Sequence, residues 1–172
     1  MTMQNHFALF DLPLQFSIDA VKLDAAYHAV QGRVHPDKFS NAGDAEKRVA
    51  MQWATRANEA YLTLKSPLKR AAYLCELNGV DLQTESNTSM PAAFLMQQMA
   101  WREALDDARM ARDAAGLDAL DSALREARAA QVTQLATALD TQDYPTAALG
   151  VRKLMFIEKF GDEVAATFDL LS

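Results

Sequence analysis

Apolar residues recur every three or four positions along most of the chain, and this is the spacing of an amphipathic α-helix. The first long stretch of this kind follows Pro13, where Ser17 or Asp19 can cap the start of a helix. The apolar face of this helix is made of Leu23, Tyr27, Val30 and Val34. The helix is predicted to end near His35, because Pro36 lacks an N–H group and disfavours helical dihedral angles in the residue before it.

A second helix is predicted after a polar turn at residues 40–43, with Asp44 as its cap. Its predicted buried face consists of Val49, Trp53, Ala57, Ala60 and Leu64. Two amphipathic helices joined by a short loop bury their apolar faces most economically against each other, which predicts an antiparallel hairpin with the loop at its tip. A short apolar helix precedes the hairpin. Another follows it from Pro67, and Gly79 can end that helix by adopting a left-handed conformation.

The second half of the chain is predicted to be a three-helix bundle. Residues 81–90 are polar and show no periodicity, which is typical of a short linker. Three helices fit the remainder: one from about Met90 to Ala114, one from Leu117 to about Leu139, and one from Tyr144 with Asp143 as its cap. Short loops make neighbouring helices antiparallel. The predicted fold class is therefore all-α, with an N-terminal domain at 1–80, a linker at 81–90 and the bundle at 91–172.

Composition and charge support this organisation and exclude several classes of function. The chain has only 6 glycines and 5 prolines among 172 residues, which favours helices over turn-rich β folds. Residues 1–80 carry 9 basic and 8 acidic side chains, and residues 81–172 carry 8 basic and 15 acidic ones. No Lys/Arg run indicates nucleic-acid binding, and no apolar stretch is long enough to span a membrane. No leader segment is visible, so the chain is expected to act in the cytosol.

Metal binding and catalysis are not expected. Cys75 is the single cysteine, and His6, His28 and His35 show no ligand spacing with it. His35 and Asp37 could serve as a general base and its orienting carboxylate, but two residues separated by a proline in a loop rarely reach each other. No nucleophile is placed beside them. The chain is therefore predicted to need no cofactor and not to be an enzyme.

The tripeptide His35-Pro36-Asp37, at the predicted hairpin tip, is the most informative short motif. An imidazole, a rigid ring and a carboxylate in an exposed bend can present a donor and an acceptor to another protein. Alternatively, Pro36 only ends the helix while Asp37 satisfies nearby N–H groups. The helix before it carries one face made of Lys22, Ala26, Ala29 and Arg33, and Lys38 follows the tripeptide. This face fits a mildly basic docking surface or an ordinary solvated helix face.

The first bundle helix has two apolar faces. Phe94, Trp101 and Leu105 form a core stripe, and a second arc lies about 140° away: Leu95, Met96, Met99 and Met110. This arc either packs against the first domain or is exposed for a partner, and adaptable methionines suit a recognition surface. On the last helix Phe156 points roughly 110° from the centre of the core arc, so it can join the same patch.

The segment HPDKF between amphipathic helices, followed by ANEAYLTLKSPLKRAAYL, resembles the J domain of co-chaperones. Members of that family dock on a heat-shock ATPase chaperone through the His-Pro-Asp loop and a cationic second helix, and they stimulate its ATP hydrolysis. The resemblance implies a chaperone-binding role for two sets of residues. The loop set is His35, Pro36 and Asp37, and the cationic set is Lys22, Arg33 and Lys38.

The match with one J-protein family extends over nearly the whole chain. FALFDLP at the start, FLMQQM with Arg102-Glu103, and VRKLMFIEKF near the end are similar to the HscB family of iron–sulfur cluster biogenesis. This resemblance implies an ATPase chaperone of HscA type and a scaffold protein of IscU type as partners. It implies scaffold-binding roles for Leu95, Met96, Met99, Glu103 and Phe156. The Cys-x-x-Cys module of eukaryotic relatives is absent here, which favours a bacterial cytosolic member.

Two other functions stay open from the residues alone. A general J-type co-chaperone would use the second apolar arc to bind many unfolded polypeptides. A non-catalytic helical scaffold would carry the His35-Pro36-Asp37 tripeptide by accident.

Overall fold

The computed structural model describes residues 5–82 and 90–172, and all of its regular elements are helical. A 3-10 turn, Pro36–Phe39, lies between the second and third α-helices. The α-helices are α1 (His6–Leu9), α2 (Ala20–Val34), α3 (Asp44–Lys65), α4 (Pro67–Leu77), α5 (Ala92–Ala111), α6 (Ala114–Asp140) and α7 (Tyr144–Leu171). The all-α prediction is confirmed.

The chain divides into two compact units, and the division falls between Leu74 and Cys75, within α4. The sequence places the end of the first domain slightly later, at residue 80. Most of the predicted linker at 81–90 lies outside the described residues, which omit 83–89. The predicted limits 1–80 and 91–172 therefore stay predictions.

The hairpin of α2 and α3 begins and ends close to where the sequence predicts. Asp19 caps α2, because its Oδ1 accepts hydrogen bonds from the backbone N–H groups of Val21 and Lys22, at 2.9 and 3.4 Å. His35 has extended dihedral angles and ends α2, as a residue before proline must. The predicted cap of α3 is wrong by one residue: Gly43 is the cap, without a side-chain bond, and Asp44 is the first helical residue.

A group of polar aromatic residues joins α2 to α3. The rings of Tyr27 and Tyr61 stack with their centroids 4.1 Å apart. The Tyr61 hydroxyl donates to Asp24 Oδ1 at 2.7 Å, and the Tyr27 hydroxyl donates to Asn58 Oδ1. These contacts cross between residues far apart in sequence, so they fix the register of the two helices and with it the position of the connecting loop.

The predicted burial of Val49 and Trp53 on α3 is wrong. Val49 is 52% exposed and Trp53 is 39% exposed, although the other predicted positions, Ala57, Ala60 and Leu64, are buried. Tyr61 marks the side of α3 that faces α2, and Val49 lies roughly 120° around the helix from it. Small side chains such as Ala50 take the buried positions instead, because they let the two helices approach closely.

The structure confirms the predicted limits of α4. Ser66 Oγ accepts a hydrogen bond from Lys69 N–H at 3.2 Å at the start of the helix. Gly79 follows its end with φ of +70°, the left-handed conformation that glycine adopts without strain. Cys75 is fully buried, and burial raises the pKa of its thiol, so this cysteine is a core residue and not a nucleophile.

Helices α5, α6 and α7 form the predicted bundle. Asp113 caps α6 and Asp143 caps α7, each through its carboxylate. A Cβ atom on Gly150 would lie 2.8 Å from Leu135 Cδ2, so glycine at this position lets α7 approach α6 closely. One continuous core cluster consists of Trp101, Leu105, Ala108, Leu117, Leu120, Leu124, Ile157, Phe160 and Val164.

No helix in the described part of the chain is both long enough and apolar enough to span a membrane.

Candidate functional site

The loop at the hairpin tip is a short, internally bonded turn. His35 O accepts from Lys38 N–H at 3.0 Å, and Asp37 O accepts from Ser40 Oγ at 3.2 Å. Both bonds are accepted by backbone carbonyl groups, so the side chains of His35 and Asp37 take no part in them. The His35 and Asp37 side chains are 57% and 90% exposed. The tip therefore presents an imidazole and a carboxylate on a turn whose backbone is hydrogen-bonded within itself.

His35 and Asp37 contact each other, so the expectation that they do not reach each other is wrong. His35 Nδ1 accepts a hydrogen bond from Asp37 N–H at 3.2 Å and lies 3.5 Å from Asp37 Oδ2. The 3-10 turn causes this contact, because it folds the backbone of Asp37 towards the ring. While Nδ1 accepts a bond, the proton of the neutral ring lies on Nε2, which can donate to a partner.

Three exposed cations accompany the loop. Lys22 and Arg33 lie on α2, and Lys38 lies on the turn. Lys22 and Arg33 are eleven residues apart and therefore share one helix face over about 16 Å. No carboxylate among the described residues forms an ion pair with any of the three. The result is a mildly basic face next to the exposed His35 and Asp37.

A second exposed surface lies on α5. Met96 and Met99 are 70% and 71% exposed, and Leu95 beside them is also exposed. We call these three residues the α5 apolar patch. The second apolar arc is thus not buried in this chain. Glu103 is exposed one turn after Met99 and adds a carboxylate to the edge of the patch.

Phe156 belongs to an aromatic cluster between α5 and α7. It is half-buried and does not project freely. Its ring centroid lies 5.7 Å from that of Phe160, 6.3 Å from that of Trp101 and 5.9 Å from that of Phe94. One edge of this cluster, through Phe156, remains accessible at the surface. Phe156 is therefore held by the bundle core.

Two cations lie on the aromatic cluster, and the sequence pattern assigns no role to either. Arg102 Cζ lies 5.8 Å from the Phe156 ring centroid and 5.5 Å from that of Phe160. Its Nη1 lies 3.5 Å from Glu163 Oε2. Lys153 Nζ lies 5.7 Å from the Phe94 ring centroid. One sequence feature could have indicated Arg102: it follows Leu95 by seven residues and so lies on the same face of α5.

Replacing Arg102 by alanine is expected to lower the free energy of unfolding of the bundle by about 1 kcal/mol, because a cation–π contact and a partly exposed ion pair are lost together. Urea denaturation followed by fluorescence measures this change. Arg125→Ala is the matched control, since within the described part of the chain the ion pair of Arg125 is with Asp121 on its own helix, at 2.8 Å. Equal effects of the two substitutions would contradict a stabilising role for Arg102.

No group of His, Cys, Asp and Glu side chains that could hold a metal ion occurs within residues 5–82 and 90–172.

Comparisons with known proteins give one match to the second half of the chain and several matches to nearly its whole length. A family model described as the HSCB C-terminal oligomerisation domain matches residues 90–165. A co-chaperone protein HscB homolog from Burkholderia multivorans is 57% identical over 167 residues, covering 97% of this chain and 95% of the relative. A homolog from Burkholderia cenocepacia is 56% identical over the same length.

Two solved structures resemble the chain over nearly its full length. Chaperone HscB from Vibrio cholerae has a TM-score of 0.87 and 38% identity, covering 98% of this chain and 100% of that one. Human co-chaperone protein HscB has a TM-score of 0.90 and 26% identity, covering 95% of this chain and 81% of that one. The resemblance drawn from the sequence motifs is confirmed, and this chain belongs to the HscB family of co-chaperones.

Proposed function

We propose that this co-chaperone of iron–sulfur cluster assembly binds an ATPase chaperone of HscA type through its hairpin tip and a scaffold protein of IscU type through α5. The observation that supports this proposal is the presence of two exposed recognition surfaces of different chemistry on two separate units. One is polar and basic, and the other is apolar. Its Burkholderia relatives are bacterial, and we place its action in the bacterial cytosol.

The hairpin tip is the proposed chaperone-binding site. Asp37 offers an exposed carboxylate, His35 offers an Nε2 donor, and Pro36 restricts the backbone between them. Three cations extend the surface and favour an acidic face of the chaperone: Lys22, Arg33 and Lys38. A contact that stabilises the hydrolysis-competent state of the chaperone accelerates ATP turnover without any catalytic group from this chain. The co-chaperone is therefore proposed to be a non-enzymatic regulator that needs no cofactor.

The α5 apolar patch is the proposed centre of the scaffold-binding site, with Phe156 and Glu103 at its edges. Burying a leucine or methionine side chain contributes about 1.5–3 kcal/mol, so Leu95, Met96 and Met99 together can supply most of the energy of a specific contact. Methionine side chains adapt their shape to a partner. Glu103 provides a charge that can select the orientation of the scaffold.

Binding both partners on one chain raises the local concentration of scaffold at the chaperone. Two binding sites linked on one molecule turn the second encounter into an intramolecular one, which increases the apparent affinity without new contacts. ATP hydrolysis triggered at the hairpin tip is then coupled to the presence of the scaffold. The expected product is a chaperone that has closed on the delivered scaffold.

Titration calorimetry of the purified scaffold into the full chain tests the proposed scaffold site. The double substitution Leu95→Ala/Met99→Ala is expected to weaken binding roughly 30-fold or more, since two apolar anchors worth about 1–2 kcal/mol each are removed. Both side chains are exposed, so helicity should not change. Unaltered affinity in a folded variant would show that the scaffold binds elsewhere.

Met110→Ala is the matched control for this experiment. Met110 is exposed on the same side of α5 but lies about three turns beyond Met99. Its removal should leave the affinity within about twofold of the wild-type value. Adding a denatured protein as competitor distinguishes a scaffold-specific site from a general site for unfolded chains, because only the general site would release the scaffold.

A further inference from the structure

A concave apolar cavity lies at the tip of the hairpin, on the α3 side of the loop. Its volume is about 390 Å³. We call it the tip pocket. Its apolar lining residues come from the end of α2, the 3-10 turn and α3: Val34, Pro36, Phe39, Ala50, Met51 and Ala54.

Small residues on α3 create the pocket. Ala50 and Ala54 are one helical turn apart and line the same wall. Phe39 from the turn and Val34 from α2 are half-buried and line it from the other two elements. Met51 is 68% exposed, and its flexible thioether can move to admit a guest. The apolar walls are thus supported by the hairpin itself.

The pocket is continuous with the proposed chaperone-binding surface. Pro36 lines it, and its two neighbours in sequence are the exposed His35 and Asp37. The pocket and Asp37 are therefore adjacent through Pro36, so one partner surface can contact both. Side chains that contribute most to an interface commonly fill well-packed, desolvated pockets, and an apolar pocket beside a polar contact can hold such a side chain.

Charge at the pocket limits what can occupy it. Lys47 is the charged residue among those that line it, and it is exposed. Lys38 lies on the same turn as Phe39. A guest segment with a carboxylate beside its apolar side chain would satisfy both the pocket and these ammonium groups.

We propose that the tip pocket receives one large apolar side chain of the ATPase chaperone, from a segment that also carries an acidic residue. The proposal rests on the assignment of the hairpin tip as the chaperone-binding site. It adds an apolar anchor to a contact that otherwise consists of polar groups. The pocket would set affinity for the chaperone, while Asp37 would couple binding to ATP hydrolysis.

Filling the pocket tests the proposal in the full-length chain. In Ala54→Leu the new side chain occupies the cavity and leaves His35, Pro36 and Asp37 unchanged. The chaperone should then bind at least about tenfold more weakly, because its apolar side chain is excluded. Titration of ATP turnover against co-chaperone concentration should show the same shift in the half-maximal concentration, with the maximal stimulation largely retained.

Gln52→Leu is the matched control, because it adds the same side chain two residues earlier on α3, roughly 160° around the helix from Ala54. Its half-maximal concentration should equal that of the wild type. A second variant, Lys47→Glu, keeps the cavity and reverses the charge at the pocket. It should weaken binding severalfold, and the loss should shrink at high salt.

The outcomes distinguish the tip-pocket proposal from the proposal that the hairpin tip binds the chaperone. If Asp37→Asn abolishes stimulation while Ala54→Leu and Lys47→Glu behave like the wild type, the tip pocket is not used and the chaperone site itself stands. If Asp37→Asn has no effect, the assignment of the chaperone site fails. If Ala54→Leu loses helicity, the Lys47→Glu titration decides the matter, and an unchanged half-maximal concentration overturns the pocket proposal.

Discussion

Replacing Asp37 by asparagine is expected to abolish stimulation of ATP turnover by the partner chaperone. The substitution removes a charge from a side chain that is 90% exposed and preserves its shape. The structural bonds of this residue come from its backbone, through the N–H group to His35 Nδ1 and the carbonyl to Ser40 Oγ. Asparagine retains both. If Asp37 is buried against a cation of the chaperone, truncating one partner of such a charge pair costs about 2–5 kcal/mol, so stimulation should fall at least about 30-fold.

Steady-state ATP hydrolysis by the chaperone, with scaffold and increasing co-chaperone, measures this effect. Asp44→Asn serves as the control, because it removes a carboxylate of the same kind at the other end of the loop. It should preserve stimulation. Circular dichroism checks that both variants keep their helices. Full stimulation by Asp37→Asn would refute the role assigned to the loop.

Replacing Phe160 by alanine is expected to destabilise the bundle by about 3–5 kcal/mol. Phe160 is almost fully buried, and its ring stacks near those of Trp101 and Phe156. Its removal leaves a cavity in the core cluster and also removes a ring beneath Arg102. Phe156 then loses its nearest aromatic neighbour. Scaffold affinity should therefore fall as well, even in conditions where the bundle remains folded.

Denaturation followed by tryptophan fluorescence measures this loss for the bundle alone. The chain has two tryptophans, Trp53 in the first unit and Trp101 in the second, so a Trp53→Phe background leaves one reporter in the bundle core. Leu170→Ala is the control, since Leu170 lies on the same helix and is exposed. It should change stability by less than about 0.5 kcal/mol. A loss below about 1 kcal/mol for Phe160→Ala would show that the core relaxes around the cavity.

Helical periodicity and end signals predict most of this fold from the sequence. Asp19 and Asp143 cap helices as expected, and Gly79 adopts the left-handed conformation predicted for it. These features depend on local chemistry, which a sequence displays directly. The buried face of α3 does not depend on local chemistry alone. Val49 and Trp53 are large and apolar, so the sequence suggests that they are buried. Contact with α2 instead selects small side chains, and this depends on how two distant segments meet.

The candidate sites, like the fold, can be predicted only in part from the sequence. Residue spacing reveals the second apolar arc on α5 but leaves open whether it is packed or exposed, and its exposure is seen only in the structure. The contact between His35 and Asp37 depends on a 3-10 turn that spacing does not reveal. The position of Arg102 over Phe156 requires the register between α5 and α7. Residue spacing thus indicates candidate positions on each helix, but it does not indicate contacts between helices such as those of Arg102 and Lys153 with the aromatic rings.

The internally bonded turn at the hairpin tip also affects the rate and the affinity of partner binding. Backbone bonds within 35–42 and the Tyr27–Tyr61 stack hold the loop before any partner arrives. The conformational entropy of ordering this segment is therefore lost during folding and not during association. A preorganised loop loses less conformational entropy on binding, so more of the interaction free energy of each intermolecular contact remains as net affinity. A small polar surface can then still bind its partner selectively.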